Sequence, residues 1–97
     1  MPAYISLVNL TEQGVHNAKG TVERAQAVKK AAEAAGGRVI GVWWTLGQYD
    51  LVLIAEAPND ETAARLLLTV AMQGNTRSTT MRAFSEEEMA RIVQGLP

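Results

Sequence analysis

The chain has 97 residues, 47% of them hydrophobic, and predicts a single domain over residues 1–97 because so short a chain rarely splits into two cores. Ten acidic and nine basic residues give a formal net charge of −1, which argues against nucleic-acid or membrane-surface binding, since both depend on a positive field. No cysteine is present for disulfides or metal ligation, and without an apolar run of ~20 residues or a signal-peptide layout we expect a cytoplasmic protein.

The first predicted elements are a strand and a helix. Residues Tyr4–Leu10 are rich in aromatic and branched side chains, and the polar cluster Thr11-Glu12-Gln13-Gly14 that follows is typical of a loop. From Thr21, which fits an N-cap, apolar residues recur at helical spacing until Gly36-Gly37 ends the helix. Alanine dominates the apolar side of this helix, so the helix can pack closely on a sheet.

The middle of the chain predicts a hairpin. Residues Arg38–Leu46 and Leu51–Ala57 have strand composition, and only Gly47-Gln48-Tyr49-Asp50 joins them. A connection this short forces the two strands to pair antiparallel.

The hairpin strands are apolar on both faces. Strict alternation along the first of them places Val39 and Trp43 on one face and Val42 and Trp44 on the other. Helices cover only one face of such a sheet, and a bare apolar face is a patch of the size that monomers avoid. We therefore expect the second face to be buried in a homodimer or a higher oligomer.

The last third of the chain adds a helix, a strand and a short helix. Asn59 or Asp60 caps a helix that reaches Gly74, and Arg77–Phe84 has the β-branched content of a fourth strand. Ser85-Glu86-Glu87-Glu88 matches the capping box of a third helix. The order β-α-β-β-α-β-α predicts an α+β, ferredoxin-like βαββαβ fold. Its four-stranded antiparallel sheet carries two helices on one face, and one extra helix follows at the C-terminus.

Few side chains of this sequence could act in catalysis or bind a metal ion or cofactor. His16 is the only imidazole, and no second metal-ligating group accompanies it, so we predict no metal site. Tyr49 and Asp50 either fix the hairpin turn or rim a pocket. Arg82 either lines a pocket or forms an ion pair or hydrogen bond across the subunit boundary, for example with Glu56. No phosphate-binding glycine motif occurs, and no cofactor is predicted. The candidate ligand-binding residues are Tyr4, Trp43, Trp44, Tyr49, Thr80 and Arg82.

Three segments resemble the GYD-domain family, which is named for its Gly-x-Tyr-Asp turn. They are MPAYISLVNLTEQGVHNAKG, GGRVIGVWWTLGQYDLVLIAEAPND and GNTRSTTMRAFSEEEMARI, and the eponymous residues fall on Gly47, Tyr49 and Asp50. The resemblance covers nearly the whole chain. It implies a dimeric α/β barrel in which two ferredoxin-like sheets face each other, and it implies no established activity, since fold alone does not confer one.

Three functional hypotheses follow, the last of which is a purely structural role as an assembly subunit. The first is a non-catalytic homo-oligomeric module that binds a small organic molecule or a protein partner. The small number of reactive side chains favours it. The second is a cofactor-free enzyme, similar to monooxygenases or isomerases of the wider superfamily, with a pocket between the sheet and its helices. In that enzyme His16, Tyr49, Asp50 or Arg82 would act as base, hydroxyl donor or charge stabiliser. This second hypothesis requires the four side chains to share a cavity.

Overall fold

Four strands and four α-helices follow one another along residues 1–97 of the computed structural model. They are β1 (Ala3–Leu10), α1 (Glu12–His16), a 3-10 turn (Ala18–Gly20), α2 (Thr21–Ala34), β2 (Arg38–Trp44), β3 (Leu51–Glu56), α3 (Asp60–Met72), β4 (Thr76–Ala83) and α4 (Glu86–Gln94). The strands form one antiparallel sheet with the order β2-β3-β1-β4. The predicted α+β, ferredoxin-like fold with an extra C-terminal helix is confirmed.

Local hydrogen bonds explain where the helices begin. The side chain of Asn59 accepts a backbone N–H from the first turn of α3 at 2.9 Å. Ser85 and Glu88 form both hydrogen bonds of the predicted capping box at α4. The N-cap prediction at Thr21 is wrong, because Gly20 occupies the N-cap of α2 and Thr21 is the first helical residue.

The polar segment after β1 forms a short helix where the sequence predicts a loop. The Thr11 hydroxyl accepts the N–H of Gly14 at 3.1 Å and caps α1. A Cβ atom on Gly14 would lie 2.0 Å from the carbonyl oxygen of Asn75, so only glycine allows this close approach. Gln13 Nε2 donates to the carbonyl oxygen of Gln73 at 2.8 Å. Through these contacts α1 holds the end of β1 next to the connection between α3 and β4.

A bulge in β2 shifts the pattern of side-chain directions. Val39 pairs with Ala55, whereas Gly41 pairs with Ile54, so Ile40 is the extra residue on the β2 side. Val39 therefore shares the helix side of the sheet with Val42, and the strict alternation predicted for this strand is wrong at Val39. From Gly41 to the end of β2 the alternation holds.

The two faces of the sheet have different surroundings. The helices α2 and α3 pack on the face that carries Tyr4, Ser6 and Val8. Neither helix reaches the opposite face, where successive pairs of β1, β3, β2 and β4 bring apolar side chains together. We call this second surface the outer face and define it by Ile5, Leu7, Trp43, Val52, Ile54 and Met81.

The interior of a single chain is incompletely filled. Of the 97 residues only 8 are buried, and no large side chain among them is fully buried. The buried hydrophobic cluster consists of Tyr4, Ala57 and Ala63, two of which are alanines. The space between the sheet and its helices contains a cavity, and this cavity is the candidate ligand site.

Candidate ligand cavity and interaction surface

A cavity of about 200 Å³ lies between the sheet and the helices α2 and α3. The cavity exists because many of the side chains on its walls are small. Alanine and serine side chains do not reach across from the helices to the sheet. The lining is mostly apolar, as expected for a ligand site in a small protein. The alanine and serine residues that line it are Ser6, Ala25, Ala27, Ala31, Ala32, Ala55, Ala57, Ala63, Ala71 and Ser78.

Two hydroxyl groups meet on the sheet side of the cavity. Ser6 Oγ lies 2.8 Å from Thr80 Oγ1, and the Ser6 residue is 4% exposed. Each hydroxyl carries one hydrogen, and their mutual hydrogen bond uses only one of the two. One hydroxyl hydrogen therefore stays available to an acceptor inside the cavity.

Tyr4 lines one end of the cavity. The residue is 9% exposed and belongs to the buried cluster with the two alanines, and its hydroxyl donates to Asp60 Oδ1 at 2.5 Å. Burial raises the pKa of the Tyr4 phenol above its usual value, and the neighbouring Asp60 carboxylate raises this pKa further, against a smaller opposing effect of the Arg82 charge. Tyr4 therefore stays protonated at neutral pH and acts as a donor to Asp60.

Arg24 lines the opposite end of the cavity and also lines the shallow hollow beside His16 and Asn17. Its Nη1 donates to the carbonyl oxygen of Asn17 at 2.7 Å, whereas its Nη2 is buried and has no hydrogen-bond partner. Sequence reasoning missed Arg24, because charged residues of an amphipathic helix usually face solvent. The signal is the spacing of Thr21, Arg24, Val28 and Ala31, all of which line the cavity and lie on one side of α2.

Asp50 holds the hairpin against β1. Its Oδ2 accepts the backbone N–H of Leu10 at 2.8 Å, and its own N–H donates to the carbonyl oxygen of Val8 at 2.8 Å. In the same connection the Thr45 hydroxyl donates to the carbonyl oxygen of Tyr49 at 2.6 Å. Neither Tyr49 nor Asp50 is among the residues that line the cavity.

Arg82 anchors the C-terminal helix. Within one chain Glu56 pairs with Arg38 at 2.6 Å and not with Arg82, and the Arg82–Glu56 pair across a subunit boundary stays a prediction. Arg82 Nη2 instead lies 3.0 Å from Glu88 Oε2, and its guanidinium lies 4.5 Å from the ring centroid of Phe84. The backbone N–H of Ser85, followed by the Arg82 side chain, lowers the pKa of Glu88 to about 2.

The two tryptophans lie on opposite faces of the sheet, as the sequence predicts. Trp44 donates from Nε1 to Thr21 Oγ1 at 3.0 Å on the helix side. Trp43 lies on the outer face, with its ring over Gly41. Neither side chain lines the cavity.

The structure does not bring the four catalytic candidates together. His16 is exposed at the end of α1 beside a shallow hollow, and Tyr49, Asp50 and Arg82 have the positions described above. None of the four lines the cavity, whereas Tyr4 and Thr80 of the predicted ligand-binding set do. The geometric condition of the enzymatic hypothesis is not met. The side chains also form no group of three or more His, Asp or Glu residues that could hold a metal ion.

The outer face has the layout of a protein interface. Trp43 is 51% exposed and Met81 42% exposed, and they flank apolar residues of the two central strands. Polar groups lie at its ends, with the Arg38–Glu56 ion pair at one and Arg77 at the other. An apolar centre with a polar rim is the usual anatomy of such surfaces. None of the helices is long and apolar enough to cross a membrane.

This fold and these residues belong to a known class of small α+β domains. The GYD-domain family model matches residues 4–93, and the chain is a member of that family. The chain is also 34% identical over 84 residues to the "Glutamine synthetase and cystathionine beta-lyase binding protein" of Thermus thermophilus. That match covers 86% of this chain and 88% of the relative.

Two solved structures share the fold. MtbAldR superposes with a TM-score of 0.68 at 14% identity, covering 88% of this chain and 52% of that chain, so the chain spans about half the length of MtbAldR. TTHA0845 from Thermus thermophilus superposes with a TM-score of 0.54 at 22% identity, covering 88% of this chain and 95% of that one. Identities this low establish the fold alone.

Proposed function

We propose that this protein is a non-catalytic binding module that forms homodimers or higher oligomers through its outer face and engages other proteins in that assembled form. The observation that carries the proposal is the outer face itself, which is apolar and covered by neither α2 nor α3. The small number of buried residues supports it as well, because a single chain leaves much of its apolar surface accessible.

The outer face is large enough to drive association. Full burial of one large apolar side chain contributes about 1.5–3 kcal/mol. The six side chains are already partly covered by their neighbours, and at half that value two copies together contribute on the order of 10–20 kcal/mol. The loss of rotational and translational freedom on association costs about 4–15 kcal/mol. The apolar contribution is thus of the size that association requires.

A charge on the outer face tests the assembly. Ile54 lies on a central strand of the outer face, so Ile54→Lys would place a cation in the middle of the proposed interface. Ala64 is exposed on α3, and Ala64→Lys adds the same charge away from it. In native mass spectrometry at micromolar concentration we expect oligomers for the wild type and Ala64→Lys, and monomers for a folded Ile54→Lys. A monomeric wild type would contradict the proposal.

The partner proteins are proposed from the Thermus thermophilus relative. That relative is named for binding glutamine synthetase and cystathionine β-lyase, and we extend this type of partner, a metabolic enzyme, to the present chain. Biolayer interferometry with glutamine synthetase and cystathionine β-lyase, both purified from the organism that encodes this chain, would test the extension. Serum albumin serves as a control. Binding to neither enzyme would contradict this assignment and leave the oligomer unaffected.

The proposal also includes a small organic ligand in the cavity between sheet and helices. It is supported by the volume and apolar lining of the cavity and by the hydroxyl pair inside it. Native mass spectrometry of freshly purified protein would reveal a bound small molecule as a mass above that of the polypeptide. The cytoplasmic location is likewise a prediction, which cell fractionation would test.

A further inference from the structure

We infer that the cavity binds a small apolar carboxylate, with its carboxylate group at Arg24 and its hydrocarbon body against the alanine-lined walls. This inference rests on the proposed binding of a small molecule and adds the chemical class of that molecule. It does not depend on the outer face or on a protein partner.

The size and walls of the cavity define the body of the ligand. A volume of about 200 Å³ exceeds the ~150 Å³ of an engineered apolar cavity that binds benzene, and it lies below the range of about 300–1,000 Å³ that drug-sized ligands occupy. The space therefore fits one aromatic ring or a short branched alkyl chain. The walls that would contact it come from α2, α3 and the central strands, through Ala25, Ala32, Leu53, Ala63 and Leu66.

Arg24 supplies the charge that selects a carboxylate. A guanidinium is positively charged at any physiological pH and has only donor groups. The ion pairs of the chain involve Arg38, Arg65, Arg82 and Arg91, so no carboxylate side chain compensates Arg24. Its buried Nη2 also has no hydrogen-bond partner. A ligand carboxylate would satisfy both the charge and the free N–H groups, in the geometry that guanidinium and carboxylate groups favour.

The second polar feature of the cavity also favours an acceptor-rich ligand. Ser6 is almost completely buried, and its hydrogen bond with Thr80 leaves one hydroxyl hydrogen unused. Unused hydrogens are therefore offered by Arg24, which lines one end of the cavity, and by this hydroxyl pair on its floor. A carboxylate has acceptor oxygens and no donor, whereas an amine of the same shape would bring a second cation to Arg24.

The positions of Arg24 and Tyr4 in the fold determine which way the ligand would lie in the cavity. Arg24 lies in the first turn of α2, close in sequence to Thr21, which meets Trp44 at the end of β2. Tyr4 lies at the other end of the sheet, near the start of β1, and its hydroxyl is already occupied by Asp60. The carboxylate therefore belongs at the Arg24 end, and the apolar body extends towards Tyr4.

Matched probes test the inference on the full-length protein. Isothermal titration with 4-methylpentanoate and phenylacetate, each compared with its neutral primary amide, isolates the contribution of the charge. We expect each carboxylate to bind at least tenfold more tightly than its amide in the wild type. In Arg24→Gln we expect the carboxylate affinity to fall to that of the amide, with the amide affinity unchanged.

Two further variants complete the design. Lys29 is an exposed cation on the same helix that does not line the cavity, so Lys29→Gln should preserve both affinities. Arg24→Lys keeps the positive charge and should retain part of the preference for carboxylates. Equal affinities for acid and amide in the wild type would overturn the inference while leaving small-molecule binding intact. Binding of none of the four probes at millimolar concentration, or the same loss in Lys29→Gln, would also overturn it.

Discussion

The carboxylate of Asp50 accepts the backbone N–H of Leu10 at 2.8 Å, beyond the point where β1 and β3 cease to pair. The last β1–β3 pair joins Val8 and Leu51, so the N–H of Leu10 has no partner on β3. Asp50 replaces that missing backbone acceptor with a side-chain oxygen. The aspartate of the Gly-x-Tyr-Asp turn thus joins the hairpin to the neighbouring strand in this chain.

Loss of this contact should destabilise the fold. In Asp50→Ala the Leu10 N–H loses its acceptor, and we expect the free energy of unfolding to fall by about 1–3 kcal/mol. Asp50→Asn keeps an acceptor oxygen and should lose less. Urea denaturation followed by circular dichroism would measure both, with Gln48→Ala in the same exposed turn as the control. An Asp50→Ala variant as stable as the control would contradict this role.

The Ser6 and Thr80 hydroxyls, of which Ser6 is buried, should show energetic coupling. In Ser6→Ala the Thr80 hydroxyl loses its 2.8 Å partner, and in Thr80→Val the Ser6 hydroxyl does. Each single variant should lose about 1 kcal/mol of stability, whereas the double variant should lose less than the sum, because no unpaired hydroxyl is left. A double-mutant cycle from urea denaturation measures this coupling. Strict additivity would show that the two hydroxyls do not depend on each other.

The Tyr4 phenol should make stability fall at alkaline pH. Its pKa is raised in the folded state by burial and by Asp60, so the unfolded chain releases this proton first, at about pH 10. The stabilising contribution is fully present below pH ~10 and is lost as pH rises towards the folded-state pKa. Tyr4→Phe should be less stable at neutral pH, and its stability should fall less above pH ~10. Parallel urea titrations at several pH values test this, and identical alkaline slopes would contradict it.

Glu88 should control the docking of α4 at acidic pH. Its pKa is lowered to about 2 from an ordinary value of 4.5, so its contribution is present above pH 4.5 and is lost as pH falls from there towards 2. Hydrogen exchange should therefore show α4 losing protection in this acidic range. At neutral pH Glu88→Gln should reduce that protection, whereas Glu87→Gln, which affects only an exposed 3.6 Å pair with Arg91, should not. Equal effects of the two variants would contradict the anchoring role.

The features that could be predicted are those determined by residues close together in the sequence. The element order, the cap at Asn59 and the capping box at Ser85 could be found because each is determined within a few residues. The bulge at Ile40 could not, because it depends on how β2 pairs with β3. Arg24 was missed because charged helix residues usually face solvent, whereas here Arg24 lines the cavity that the small side chains leave between the helices and the sheet.

The contact between Gly41 and Trp43 connects the local structure of β2 to the proposed assembly. A Cβ atom on Gly41 would lie 2.5 Å from the nearest atom of the Trp43 ring, so Gly41→Ala must displace that ring. Because the ring is the far end of a side chain on the outer face, the fold should survive while the interface loses complementarity. We expect Gly41→Ala to dissociate at a concentration several-fold higher than the wild type in size-exclusion dilution series with light scattering.

Gly95 provides the matched control for that substitution. It lies past the end of α4, where an added Cβ would make only an ordinary contact at 3.4 Å, so Gly95→Ala should dissociate like the wild type. A second substitution separates ring displacement from a change in the backbone. Trp43→Ala removes the ring outright, and adding Gly41→Ala to it should cause little further dissociation, because there is no ring left to displace. If Gly41→Ala weakens association equally in both backgrounds, its effect does not pass through Trp43, and a Trp43→Ala variant that dissociates like the wild type would show that this ring is not part of the interface.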